Sequence, residues 1–266
     1  MSASSAQNIC IHEERITDFF GESACQYQGS APLTEHCTFI IFLNRSGSSL
    51  LANYLTASGQ FFGGDENLNW DTVIETSKRK GFESFHDYMA FLTQRDKWNK
   101  NKRFLIKSAT SQLQMLSRFG YLPNIAPKLH FIRITRRDIT AQAISLSIAS
   151  QTKKWTSFQE GNGQEPVVEF ETIDRICQGI KTENRAAEQL IQDLKLTPYR
   201  IVYEDFVNSP IQQTQNLCDH LIGQRPEIDT SKIKHKKQSN DFSRQIQKQY
   251  VSAKKNAAKS TDDPTV

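Results

Sequence analysis

The sequence has few cysteines, no long apolar run, little net charge and no Walker lysine, and each shortage closes off a class of protein. Its 266 residues include five cysteines (Cys10, Cys25, Cys37, Cys177 and Cys218), scattered with no CxxC spacing. That pattern argues against a zinc site or a disulfide framework and points to free thiols in a cytoplasmic protein. His86, His130 and His220 show no ligand spacing, so no metal is expected. No stretch approaches the roughly 20 apolar residues of a membrane span. The opening segment lacks the basic stretch and apolar core of a secretory signal. A net charge of +4 suits an anionic ligand but is too small to speak for nucleic acid. With 37% hydrophobic and 23% charged residues, the chain is long enough for one large domain or two small ones around a sizeable core.

What is present is concentrated first in the run from Phe39 to Leu51, FIIFLNRSGSSLL. Phe39 to Leu43 are apolar or aromatic and fit a strand buried on both faces, as at the centre of a parallel sheet. A small-residue loop, Asn44 to Ser49, follows at once, and Leu50, Leu51, Ala52, Tyr54 and Leu55 continue as a helix. A helix entered this way presents amides with no intrahelical partner, and its dipole favours an anion there. Gly47 permits close backbone approach, the serines Ser46, Ser48 and Ser49 offer hydroxyls, and Arg45 adds a bidentate cation. Serine and glycine also make ordinary strand-to-helix turns, so the loop alone leaves both readings open. It is not a Walker A loop: the GxxxxGK[ST] spacing is absent and no lysine precedes the serine pair. With no Mg²⁺-binding pattern visible, a P-loop kinase is disfavoured.

Strands and helices alternate along the rest of the chain. Residues 1–36 lack clear periodicity and read as a peripheral N-terminal extension, 37–250 as the principal domain, and 251–266 as a flexible tail. Residues 71–101 read as an exposed helical stretch with a stripe of Phe82, Phe85, Tyr88, Met89 and Leu92. Arg103 to Lys107 makes a short strand, followed by a helix carrying Leu113, Leu116 and Phe119. Leu129 to Thr135 is a third strand, and Asp138 suits the N-cap of a helix running to about Gln151. Phe170 to Leu194 reads as a long helix and Tyr199 to Tyr203 as a fourth strand. Ser209-Pro210-Ile211-Gln212 combines an N-cap serine, a first-position proline and a capping-box glutamine, and Gly223 closes that helix. The alternation predicts an α/β fold with a central, mostly parallel sheet flanked by helices.

A second anion-binding pattern follows the third strand. Arg136 and Arg137 stand at its end, and Ser145 lies nine and eight residues on, so either arginine with the serine could hold a phosphate from two sides. A capped helix with solvated arginines is the plainer alternative. Taken together, Arg45-Ser46-Gly47-Ser48-Ser49 and Arg136-Arg137-Asp138…Ala143-Ile144-Ser145-Leu146 resemble a known pair of motifs. These are the 5′-phosphosulfate and 3′-phosphate motifs of sulfotransferases that use 3′-phosphoadenosine 5′-phosphosulfate (PAPS). The form RRD…QAISL…A…QT..W is similar to the bacterial trehalose 2-sulfotransferase family, and Tyr203-Glu204-Asp205-Phe206…Pro210 matches the YEDL…P segment common in sulfotransferases. The resemblance runs from about Phe39 to Asn240. The usual Ser-Thr pair is Ser48-Ser49 here. The acceptor-side P-x-E-Y/F segment reads Gly64-Asp65-Glu66-Asn67-Leu68, without the proline and the aromatic.

The resemblance implies a P-loop-like sulfotransferase fold and an enzyme that passes the sulfuryl group of PAPS to a hydroxyl of a carbohydrate or glycolipid, releasing PAP without a metal. Arg45 and the Ser46–Ser49 loop would hold the 5′-phosphosulfate, and Arg136 or Arg137 with Ser145 the 3′-phosphate. Glu66 is the candidate base, with Asp65 beside it on the acceptor side. Lys107 could neutralise sulfate oxygens, although it reads first as a snorkelling strand-end lysine. Trp155 could stack on a sugar ring or adenine, against the commoner fate of an aromatic in the core. Tyr203 and Asp205 read as structural. The basic run Lys232, Lys234, Lys236 and Lys237, with Gln238, falls where sulfotransferases often carry a loop over the nucleotide, or forms a solvated face. A nucleotide-binding scaffold of the same fold that has lost turnover is the competing reading. The sequence leaves oligomeric state open and is compatible with a homodimer.

Overall fold

A computed structural model describes residues 9–94, 102–156, 159–234 and 241–261, with side chains as far as residue 256. Five strands form one sheet: β1 (His36–Ile41), β2 (Phe61–Gly63), β3 (Arg103–Ser108), β4 (Lys128–Thr135) and β5 (Tyr199–Val202). Their order is β2-β3-β1-β4-β5 and every pairing is parallel. The chain winds from β1 out to β2 and β3 on one side, then crosses to β4 and β5 on the other. The carboxyl ends of β1, β3 and β4 therefore surround a topological switch point, the usual place for a ligand crevice in such sheets.

Residue alternation along β1 explains why it is central. Phe39 and Ile41 join one buried cluster with Phe104, Ile106, Leu113, Leu116 and Leu190, while Ile40 joins the other with Leu51, Leu55, Ile132 and Leu217. Each face is covered by helices: α6 (Thr110–Arg118) and α9 (Phe170–Asp193) supply side chains to the first cluster, α3 (Ser48–Ala57) and α11 (Pro210–Ile222) to the second. Phe39 stacks on Phe131 of β4, ring centroids 5.5 Å apart.

Several local features differ from the sequence expectations. The helical stretch after residue 70 is two helices, α4 (Trp70–Lys80) and α5 (Phe85–Gln94). Gly81 ends the first in a left-handed conformation (φ 71°), and Ser84 and Asp87 cap the second by reciprocal bonds. The stripe on α5 is buried rather than exposed, with Phe85 and Met89 in the core; residues 95–101 lie outside the described residues. β2, at three residues, is too short to carry a periodicity in the sequence. It ends at Gly63, which with the following Gly64 stands at φ +88°, and a Cβ on Gly63 would stand 2.5 Å from the Leu105 carbonyl oxygen.

Tyr203, read as the end of a strand, begins the short helix α10 (Tyr203–Asn208). Because α10 runs straight into α11, Ser209 is the hinge between them and makes no side-chain cap bond, so the expected capping box is not formed. Gly223 does close α11 in the left-handed region, φ 66°. At the N-terminal end, α1 (Ile11–Phe20) and α2 (Glu22–Cys25) bury Ile16 and Cys25 in the first cluster, and Glu13 forms an ion pair with Arg118 of α6. The last helix, α12 (Asp241–Thr261), packs on α8 (Ile139–Thr152) and passes the 251 boundary. Its Gln247 Nε2 donates to Asp138 Oδ2 at 2.7 Å, while Asp138 Oδ1 accepts from the Ala141 amide at 2.8 Å as the expected N-cap.

Candidate active site

A cavity of about 900 Å³ opens at the switch point. Its floor is the loop from β1 into α3. Arg45 takes a left-handed conformation (φ 63°), and Gly47 follows at φ 91° as the N-cap residue of α3. A non-glycine residue in that region is uncommon and concentrates at functional sites. Gly47 is required twice over: its φ suits glycine, and a Cβ there would fall 2.3 Å from Cδ2 of Tyr203. No side chain caps α3, so its first amides remain available to an anion. Gly47→Ala is expected to lower stability by about 1–2 kcal/mol from the left-handed backbone alone. Displacement of the Tyr203 ring adds to that loss. Thermal unfolding checks it: a variant melting with the wild type would show that the loop re-forms without cost.

Arg45 ties this floor to the second motif. Its Nε donates to Ser145 Oγ on α8 at 2.9 Å, and its Nη1 donates to the Trp155 carbonyl at 2.6 Å. Burial pushes the Arg45 guanidinium below its ordinary pKa, and the neighbouring Arg136 pushes it the same way. Two guanidinium groups held this close gain from an anion between them. Arg136 lies over the Tyr203 ring, 4.9 Å from its centroid, and its Nη1 donates to the Arg45 carbonyl at 3.3 Å.

On the opposite wall, Lys107 at the end of β3 is buried with 5% of its surface exposed. Its Nζ donates to Ser49 Oγ at 2.8 Å and to Glu66 Oε1 at 2.9 Å. Glu66 reaches this position from the turn after Gly63-Gly64, where the Asp65 carbonyl accepts from the Lys107 amide at 3.2 Å. Oε2 of Glu66 has no hydrogen-bond partner among the described residues. One cavity thus holds a helix N-terminus, three buried or half-buried cations and a carboxylate bridged to the loop by lysine.

Residues 38–253 match the family model described as Stf0 sulphotransferase. The chain belongs to the Stf0 sulphotransferase family. No curated protein sequence matches it. Among solved structures, it is similar to the sulfotransferase domain from the Synechococcus PCC 7002 olefin synthase, at 17% identity over 74% of this chain and 76% of that one, with a TM-score of 0.47.

In this Stf0 sulphotransferase, Arg45, Gly47, Ser48, Ser49, Asp65, Glu66, Arg136, Ser145 and Trp155 all line the one cavity. Ser46 is buried beneath the loop and Arg137 stands apart. Arg137 Nη2 makes 3.0 and 2.8 Å bonds to the two oxygens of Asp205 at the surface, which push its pKa up, so of the two arginines Arg136 is the one that faces the cavity. Trp155 is 38% exposed and so is not a core residue. Lys234 lines the cavity and Lys232 pairs with Asp229; Lys236, Lys237 and Gln238 lie outside the described residues.

Lys107 is thus more than a snorkelling strand-end lysine, and the Tyr203 ring packs against Gly47 of the loop. The signal for Lys107 was its place at the carboxyl end of an apolar strand, and for Tyr203 the glycine it packs against. His12, Gln112 and Arg244 also line the cavity and were not singled out. Among the described residues no group of His, Cys, Asp or Glu could hold a metal ion, and no helix is long and apolar enough to cross a membrane.

Proposed function

We propose that this sulfotransferase uses PAPS as donor, passes its sulfuryl group to a hydroxyl of a small carbohydrate or glycolipid in the cytoplasm, and releases PAP. The observation that supports this reading most is Lys107, which joins Ser49 of the anion loop to Glu66 at the acceptor side within a single cavity. The residues present fit the donor. The bare N-terminus of α3, Arg45 and Lys107 suit a phosphosulfate, and Arg136 with Ser145 suits the 3′-phosphate. Bound PAPS supplies an activated sulfuryl group on a phosphate leaving group. Sulfuryl transfer resembles phosphoryl transfer in leaving the protein mainly positioning and charge stabilisation.

In this reading the loop amides and Arg45 orient the donor and take up charge on the departing side. Glu66 accepts the proton of the attacking hydroxyl at Oε2, while Lys107 holds Oε1 and keeps the carboxylate in place. Labelled PAPS offered to a panel of sugars and glycolipids, with and without EDTA, tests the reaction and its independence of metal. PAP should also stabilise the fold through ligand linkage. Arg45→Ala is expected to weaken PAP about tenfold or more, the usual worth of a charged hydrogen bond. Stabilisation by ATP and none by millimolar PAP would remove PAPS as the donor.

A further inference from the structure

The cavity also takes in one residue from outside the family-matched segment. His12 on α1 lines it, together with Asn69, Asp71 and Gln112. His12 Nδ1 accepts a hydrogen bond from the Trp70 amide at 3.1 Å, satisfying the first amide of α4. A nitrogen that accepts carries no proton, so the ring is neutral with its hydrogen on Nε2. Burial pushes the His12 pKa below its ordinary 6.5, against the opposing pull of Asp71. Nε2 has no hydrogen-bond partner among the described residues. The helix that presents it is well anchored, with Ile16 in the core and Glu13 paired to Arg118.

We infer that His12 is an acceptor-binding residue, its Nε2–H donating to a hydroxyl oxygen of the sugar that Glu66 deprotonates at another hydroxyl; this rests on the donor and acceptor reading above. The neighbouring groups explain why a donor matters there. Asp65, Glu66 and Asp71 offer only accepting oxygens; Gln112 is engaged, its Nε2 donating to Asn69 Oδ1 and its Oε1 accepting from the Ala109 amide, both at 2.9 Å, which leaves the Asn69 NH₂ as the other donor on this wall beside His12. A sugar hydroxyl both donates and accepts, so carboxylates alone satisfy half of it and a nearby N–H completes it. The same geometry excludes His12 as the base. To take a proton at Nε2 it would have to carry its hydrogen on Nδ1, facing the Trp70 N–H, with two donors opposed.

Two amide substitutions separate this role from a purely structural one. His12→Asn can keep an oxygen near Nδ1 to accept from Trp70 but cannot reach the Nε2 position. His12→Gln can place an NH₂ near Nε2. Sulfation of neutral disaccharides, trehalose among them, would be measured with labelled PAPS for wild type, both amide variants and His12→Ala, with melting temperature and PAP affinity alongside. His12→Asn and His12→Ala should raise the sugar KM about tenfold with kcat and PAP affinity within twofold of wild type, and His12→Gln should recover part of the loss. Wild-type KM in His12→Asn would overturn the inference, because holding the Trp70 amide would then be the whole role. Wild-type protein that binds PAP but sulfates no sugar in the panel would also overturn it while leaving the donor reading intact. Failure to bind PAP at all would instead defeat the donor reading.

Discussion

Glu66→Gln is expected to lower single-turnover sulfate transfer by roughly 10² to 10⁴, the usual worth of a positioned base, while leaving PAP affinity nearly unchanged. The carboxylate is held at one oxygen by Lys107, 2.9 Å away, and its second oxygen has no partner among the described residues. Glutamine keeps the size and can still accept from Lys107 through its carbonyl, but its NH₂ cannot take a proton. Asp65→Asn should have a small effect, because the fixed contact of Asp65 is through its main-chain carbonyl to the Lys107 amide. Equal losses in the two variants, or full activity in Glu66→Gln, would take Glu66 out of the mechanism. Retained PAP binding with no turnover in the wild type would favour the scaffold reading.

Lys107→Met should cost roughly 10² to 10³ in turnover, the scale found when one preorganised donor is removed from a site of developing charge. Methionine fills a similar volume, so the buried stem remains packed near Phe42 while the charge is lost. Stability should change little, because the partner left behind, Glu66, has a side chain 37% exposed and can be rehydrated. The double variant with Glu66→Gln should lose less than the two single losses combined, since the share that Lys107 supplies by holding Glu66 cannot be lost twice. Single-turnover rates for the four proteins decide it, and additive losses would mean that lysine and glutamate act separately.

The parts of this molecule that could be read from sequence are those with a local cause. Phe39 to Leu43 marked the central strand because an uninterrupted apolar run has few other homes, and Gly47 with its serines marked the turn into α3. Asp138 was legible as a cap because the bond it makes spans three residues. Long-range choices were not. Arg136 and Arg137 are adjacent and identical, and only the positions of Tyr203 and Asp205 decide which one turns inward. Lys107 looks like any strand-end lysine until the turn after β2 brings Glu66 to it, and β2 itself is too short to announce itself. His12 was invisible because α1 has weak periodicity and its partner, Trp70, is 58 residues away.

The bond between Arg45 and Ser145 spans 100 residues of chain, and it exists only because β4 has paired with β1, Phe39 beside Phe131. Closing a loop of that length carries an entropic cost, set against the pairing of β4 with β1 that brings the two residues together. A nascent chain that has emerged only through β3 therefore has the loop that carries Arg45 but not the Ser145 that fixes its guanidinium. The contact is made only once β4, the fourth strand in the chain, has taken its place beside β1. On the donor reading proposed above, a PAP resin is expected to sort finished molecules from unfinished ones.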